Sequence, residues 1–146
     1  MYDGLSFQFL HQAVSWLLHP VVYGLFFFIA LALWEIGLAF GERFGGLAAL
    51  ASKHDEKSIT AIGRRRIERA DLLARIGPML GLMGTLIPLG PGIAALSRGE
   101  VHNLASSVSV AFDTTVLGLL AGVVGFALGR LRRRWYDQVL DGMERV

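Results

Sequence analysis

The sequence predicts an all-α integral membrane protein with three transmembrane helices, and three observations predict it. Hydrophobic residues make up 53% of the 146-residue chain and the mean hydropathy is +0.51, too apolar for an ordinary soluble domain of that length. Three segments, about 21–40, 76–96 and 104–129, each supply the roughly 20 apolar residues that cross a hydrocarbon core of about 30 Å. The basic residues avoid those segments. Arg43, Lys53, Lys57, Arg64, Arg65, Arg66, Arg69 and Arg75 fall between the first and second, Arg130, Arg132, Arg133, Arg134 and Arg145 follow the third, and only Arg98 stands elsewhere. By the positive-inside rule the loop 41–75 and the tail 130–146 are cytoplasmic, while the N-terminus and the 97–103 turn are external. The expected arrangement is one membrane domain over residues 1–146, N-out and C-in, multi-pass in a cytoplasmic (inner) membrane.

Before the first span, residues 3–19 read DGLSFQFLHQAVSWLLH. Helical spacing brings Leu10, Val14, Leu17 and Leu18 to one face, with Trp16 as an interface anchor. That pattern predicts a short amphipathic helix lying on the outer surface and ended by Pro20. No Lys or Arg precedes the apolar stretch and no small-residue cleavage site follows it, so the segment is expected to stay on the mature chain. The first span is interrupted only by Glu35, which can snorkel to the interface or meet Arg75. The loop 41–75 has no proline and mixes both charges, which suits two short helices or cytoplasmic extensions of the spans. Its GRRRIER run is interleaved with Glu68 and Asp71, the pattern of a topology and anionic-lipid anchor rather than of a nucleic-acid patch.

The second span crowds glycine and proline into GPMLGLMGTLIPLGPG, 77–92. At about 100° per residue, Gly77, Gly81, Gly84, Pro88, Gly92 and Ala95 share one side, with Thr85 at its edge. The third span has its own stripe of Ser107, Ala111, Thr114, Gly118, Gly122, Gly125 and Gly129, with Thr115 at its edge. Small stripes let helix backbones approach closely in lipid, where packing rather than the hydrophobic effect holds helices together. Gly81, Gly84, Pro88, Gly118, Gly122 and Gly125 are the expected packing residues. Pro88 and Pro91 remove backbone donors, which predicts a bent helix surrounded by protein.

Asp113 is the one carboxyl group within the second and third spans. An acid at the centre of a span costs about 2.5–3.5 kcal/mol on insertion scales, so it is a functional candidate by default. On the helical wheel it lies opposite the glycine stripe, in line with His102, Ser106 and Ser109, and below it the line turns apolar at Leu117, Leu120 and Val124. A wettable track of outer access down to Asp113, sealed beneath, is the expectation, with Asp113 reached by protons or cations from outside. A buried acid bonded to a hydroxyl of a neighbouring helix is the alternative.

Cysteine is absent, and His11, His19, His54 and His102 show no ligand spacing, so no metal site is expected. Nucleophile–base pairs at credible spacing, phosphate loops and cofactor motifs are also missing, which argues against an enzyme and against any cofactor.

Two segments, LLARIGPMLGLMGTL at 72–86 and AFDTTVLGLLAGVVG at 111–125, resemble the signature segments of the MotA/TolQ/ExbB proton channel family. The likeness covers roughly residues 70–135 and includes the Gly-Pro start, the Gly-Leu-Met-Gly-Thr core and the Thr-x-x-Gly-Leu core in order. The resemblance implies a homo-oligomeric ring, typically pentameric, around two copies of an ExbD/TolR/MotB-like single-span protein with an intramembrane Asp, which moves as ions cross. It also implies that Thr85 and Thr115 line the route. With Thr114 and Asp113 they form the candidate ion pathway, because a hydroxyl can donate and accept without the cost of a buried charge. Some features depart from the pattern. The acid that ExbB-like and TolQ-like members carry five residues before the third-helix Thr is Val110 here, and IPLGPG at 87–92 replaces the usual continuation. The short cytoplasmic loop favours an ExbB-like energiser over a flagellar-type stator. The rival from another class is a non-conducting membrane scaffold of a transport complex, which would tolerate apolar isosteres at Thr85, Thr115 and Asp113.

Overall fold

The structure is a computed structural model and describes residues 2–46 and 56–144. It is all-helical: α1 spans Tyr2–Gly41, a short π-type turn Glu42–Gly46 follows, α2 spans Glu56–Ser97 and α3 spans Val101–Glu144. All three helices are long and apolar enough to cross a membrane. Residues 47–55 of the charged loop, with Lys53 and His54, lie outside the described residues.

One expectation about the elements changes. Pro20 does not end a separate interfacial helix, because α1 runs through it without interruption. Proline there removes one bond, to the carbonyl of Trp16. Ending the helix would leave a full turn of carbonyl acceptors unpaired at the new C-terminal end and of N–H donors at the new N-terminal end, which is the larger cost in an apolar setting. By the same logic α2 continues through Pro78, Pro88 and Pro91. The described part of the loop, from Glu56 on, is an extension of the second span, one of the two forms expected of it.

Glycine sets the ends. Gly45 closes the turn after α1 at φ 138°, and Gly99 ends α2 at φ 79°, conformations that a Cβ disfavours. At the second site the N–H of Glu100 donates to Ala95 O at 3.0 Å and that of Gly99 to Leu96 O at 2.9 Å, the paired bonds of a Schellman cap. Arg98 and then Asn103 donate to the Glu100 carboxylate and hold it below the usual carboxylate range. Gly99→Ala is expected to destabilise the chain by about 1 kcal/mol, read as a lower unfolding midpoint in detergent with helix content unchanged.

The chain divides into two compact units, residues 1–29 with 77–120 and residues 30–76 with 121–146. In the first, α1 meets α2 where Gly24 faces the side chain of Leu80, and Val21, Leu25, Ile87, Ala95 and Ala111 are buried. Large apolar residues such as Phe26, Phe112, Val116 and Leu119 stand exposed, as hydrocarbon-facing positions do.

In the second unit, Ala39, Ala70 and Leu128 form a buried cluster against Ile36, Val124 and Trp135. Beside it lies a buried ion centre. Arg132 is 0% exposed and donates to Glu35 Oε2 at 2.5 Å, to Glu42 Oε2 at 3.3 Å and to the Arg66 carbonyl at 3.1 Å. Arg66 pairs with Glu42 from the other side. Glu35 Oε1 is buried without a hydrogen bond, with Arg69 Nη1 at 3.9 Å. Glu35 therefore neither snorkels nor meets Arg75: it is fully buried, and Arg132 is its partner.

Candidate functional site

The seam between α2 and α3 in the first unit is where the small residues come together. A Cβ built on Gly118 would lie 2.6 Å from Gly81 Cα and 2.7 Å from Gly77 O, so backbone meets backbone there. One built on Gly84 would meet Thr114 Cβ and Oγ1 at 2.6 Å, and one on Gly92 would meet Ser107 Cβ at 2.8 Å. Pro88 is buried as well. Within the second unit Gly122 is buried and a Cβ on Gly125 would lie 2.5 Å from Ala74 N. Van der Waals contact at this range is what replaces the hydrophobic effect between helices in lipid.

Three hydroxyls gather at one level of the seam. Thr114 is buried over Gly84, and Thr85 and Thr115 are half-buried. Each follows one member of the Gly84–Thr114 contact by one residue. Because α2 and α3 run antiparallel, the same one-residue rotation turns both side chains to the same flank. Thr85 lies about 140° round α2 from Leu80, the residue that meets α1, so this flank is the one α1 leaves open.

All three hydroxyls donate into their own helix. Thr85 donates to Leu82 O at 2.6 Å, Thr114 to Val110 O at 2.9 Å and Ala111 O at 3.0 Å, and Thr115 to Ala111 O at 2.9 Å. This is a common use of Thr in spans. It leaves the oxygen lone pairs of Thr85 and Thr115 as acceptors on the open flank, able to take a hydrogen bond from water or from a protonated group brought alongside.

Asp113 is not with them. One residue before Thr114, it turns the other way, about 160° from Thr115. It is exposed, as are His102, Ser106 and Ser109, and no described residue gives it a hydrogen bond or ion pair. Thr85, Thr114 and Thr115 are thus assembled at the seam while Asp113 and its polar line occupy the opposite flank.

Comparison with known proteins bears on this seam. The model of the MotA/TolQ/ExbB proton channel family matches residues 49–145, which include all of α2 and α3. The chain belongs to the MotA/TolQ/ExbB proton channel family. It is 38% identical over 77 residues to biopolymer transport protein exbB1 of Vibrio cholerae serotype O1, covering 50% of this chain and 34% of that protein. The chain therefore spans about a third of the length of this curated relative. No solved structure matches. With three candidate spans, this member of the family is a multi-pass membrane protein.

Within this family member, the group that sequence reasoning missed is the Glu35–Arg132–Glu42 centre. Arg132 reads as one of four arginines at 130–134. Helical phase carried the signal: Arg132 stands seven residues after Gly125, on the small-residue stripe that faces inward.

Proposed function

We propose that the chain is the ion-conducting subunit of an ExbB/TolQ-like energy-transducing complex. A ring of copies encloses a single-span partner that carries an intramembrane carboxyl group, and ions crossing at their contact move that partner. The observation that carries this reading is the pair of half-buried hydroxyls, Thr85 and Thr115, at one level on the flank that α1 leaves open. In a ring wall made of α2 and α3, that flank faces the centre. A partner carboxyl passing between two hydroxyl acceptors can be held when protonated and released to water when ionised, with no fixed charge in the wall to trap it. The close glycine seam keeps α2 and α3 moving as one rigid wall element.

Charge supports an N-out, C-in orientation in the inner membrane. Arg64, Arg65, Arg69, Arg75, Arg130, Arg133 and Arg134 are exposed, all in the second unit, where they suit an anionic cytoplasmic leaflet. The ion is a proton in this reading, as the family's description has it.

The test has two parts. Native mass of the complex taken from its own membranes in mild detergent is expected to give about five copies with two single-span partners, the stoichiometry that the family resemblance implies. Thr85→Val and Thr115→Val keep shape but remove the acceptor oxygens, and each is expected to cut ion flux at least tenfold with the ring intact, a barrier change of about 1.4 kcal/mol. Full flux in both variants, or a monomer with no partner, would sink the reading.

A further inference from the structure

Helix α1 lies outside the residues that the family model matches, yet it repeats a pattern of α3. On α3, His102, Ser106, Ser109 and Asp113 stand at spacings i, i+4, i+7 and i+11; on α1, Gln8, Gln12, Ser15 and His19 stand at the same spacings. Each set forms one polar line along its helix, and all eight residues are exposed. Below each line the surface turns apolar, at Phe26 and Phe27 on α1 and at Val116 and Leu120 on α3.

The two lines also share a depth. Gly24 of α1 meets Leu80 of α2, and Gly118 of α3 meets the adjacent Gly81. His19 precedes Gly24 by five residues, and Asp113 precedes Gly118 by five. Helices α1 and α3 both run opposite to α2, so His19 and Asp113 lie within about one residue rise, ~1.5 Å, of the same level. Five residues also place each about 140° round its helix from the glycine that touches α2. Both lines therefore face away from the α2 contacts, and neither is covered within one chain.

We propose that a second copy of this chain covers them: the α1 line of one protomer docks in register along the α3 line of its neighbour, with His19 against Asp113 at the inner end. The rungs are complementary. The imidazole can donate to the carboxylate, the Ser15 and Ser109 hydroxyls can each donate and accept, and the Gln12 and Gln8 amides offer both functions to Ser106 and His102. Equal depth lets parallel copies related by an axis along the membrane normal pair rung for rung without either shifting in the bilayer. A carboxylate facing hydrocarbon is unfavourable, and a polar partner helix removes that penalty. α2 brings no titratable side chain between Gly77 and Ser97, so nothing on it competes for Asp113. The proposal rests on the oligomeric reading above and gives that oligomer a specific interface.

Because the chain has no cysteine, engineered thiols report contacts directly. Two differently tagged chains, one Ser15→Cys and one Ser109→Cys, are co-produced in membranes and oxidised. A disulfide-linked dimer carrying both tags is expected, whereas Leu17→Cys, on the far side of α1, is expected not to link to Ser109→Cys. A linkage found only within a double variant of one chain would overturn the proposal. So would absence of the mixed dimer while native mass still shows a multimer; that result leaves the channel reading standing and points to lipid, water or the single-span partner on this face. A native monomer would overturn both together.

Discussion

Arg132→Met is expected to destabilise the protein by about 3–5 kcal/mol, the range for removing one partner of a buried ion pair. Methionine replaces much of the aliphatic stem, so the loss is chiefly electrostatic. Glu42 keeps Arg66, but among the described residues Glu35, 0% exposed, keeps only Arg69 at 3.9 Å, whose side chain is 56% exposed. A buried carboxylate in that position has to be left uncompensated, take up a proton, or draw helix ends apart to admit water, and each route weakens the second unit. The companion variant separates charge from packing. Glu35→Gln added to Arg132→Met removes the two fully buried charges together and leaves the Glu42–Arg66 pair in place, and the double variant is expected to recover most of the loss. Arg133→Met is the control, because its 2.7 Å bond to Asp71 is largely exposed and exposed pairs contribute about 0–1 kcal/mol. Unfolding midpoints in detergent, with matched helix content before unfolding, decide the matter; an Arg132→Met protein as stable as its parent would show that the centre is not a structural clamp.

The same centre shows which parts of the molecule were legible in the sequence. Hydropathy finds all three membrane-length helices, because a bilayer demands about 20 apolar residues whatever the packing. Phase finds the inward stripes, and it would have found the ion centre too. Ala32, Glu35 and Ala39 share the buried face of α1, and the buried Glu42, the first residue of the turn that follows, stands seven residues after Glu35. Counting Arg132 with its basic neighbours hid that match, since bulk charge and helical phase point to different places for the same residue. Pro20 misled for a different reason: helix-breaking rules come from water, where an interrupted backbone finds new partners. The Thr85–Thr115 pairing needed one further fact. Each threonine can be placed at the edge of its own stripe, but only the contact of Gly84 with Thr114 fixes the register that brings both edges to one flank.

Gly118→Leu is the other large effect expected, and the neighbours of Gly118 explain why. A Cβ there would lie 2.6 Å from Gly81 Cα, 2.7 Å from Gly77 O and 2.8 Å from Gly81 N. All three are backbone atoms held by an intact helix, so no side chain can swing aside. Even Gly118→Ala has to push α2 and α3 apart by several tenths of an ångström, and leucine by more, opening the seam on both sides of the contact. Overpacking of a well-packed core costs about 1–3 kcal/mol where side chains can adjust; here the upper end is the minimum expected for leucine. Gly24→Ala supplies the contrast. Its Cβ would meet Leu80 Cδ1 at 3.6 Å and Cδ2 at 3.9 Å, ordinary contacts with a flexible side-chain tip, so its stability is expected to stay within about 0.5 kcal/mol of the parent. Because Thr115 sits three residues before Gly118 and Thr85 four residues after Gly81, a widened seam also moves the two hydroxyls off their common level. Flux is therefore expected to fall in any Gly118→Leu protein that still assembles, and by more than a stability loss of that size explains. Assembly and flux both at parental levels in Gly118→Leu would mean that the close seam sets neither the rigidity nor the alignment of the channel wall.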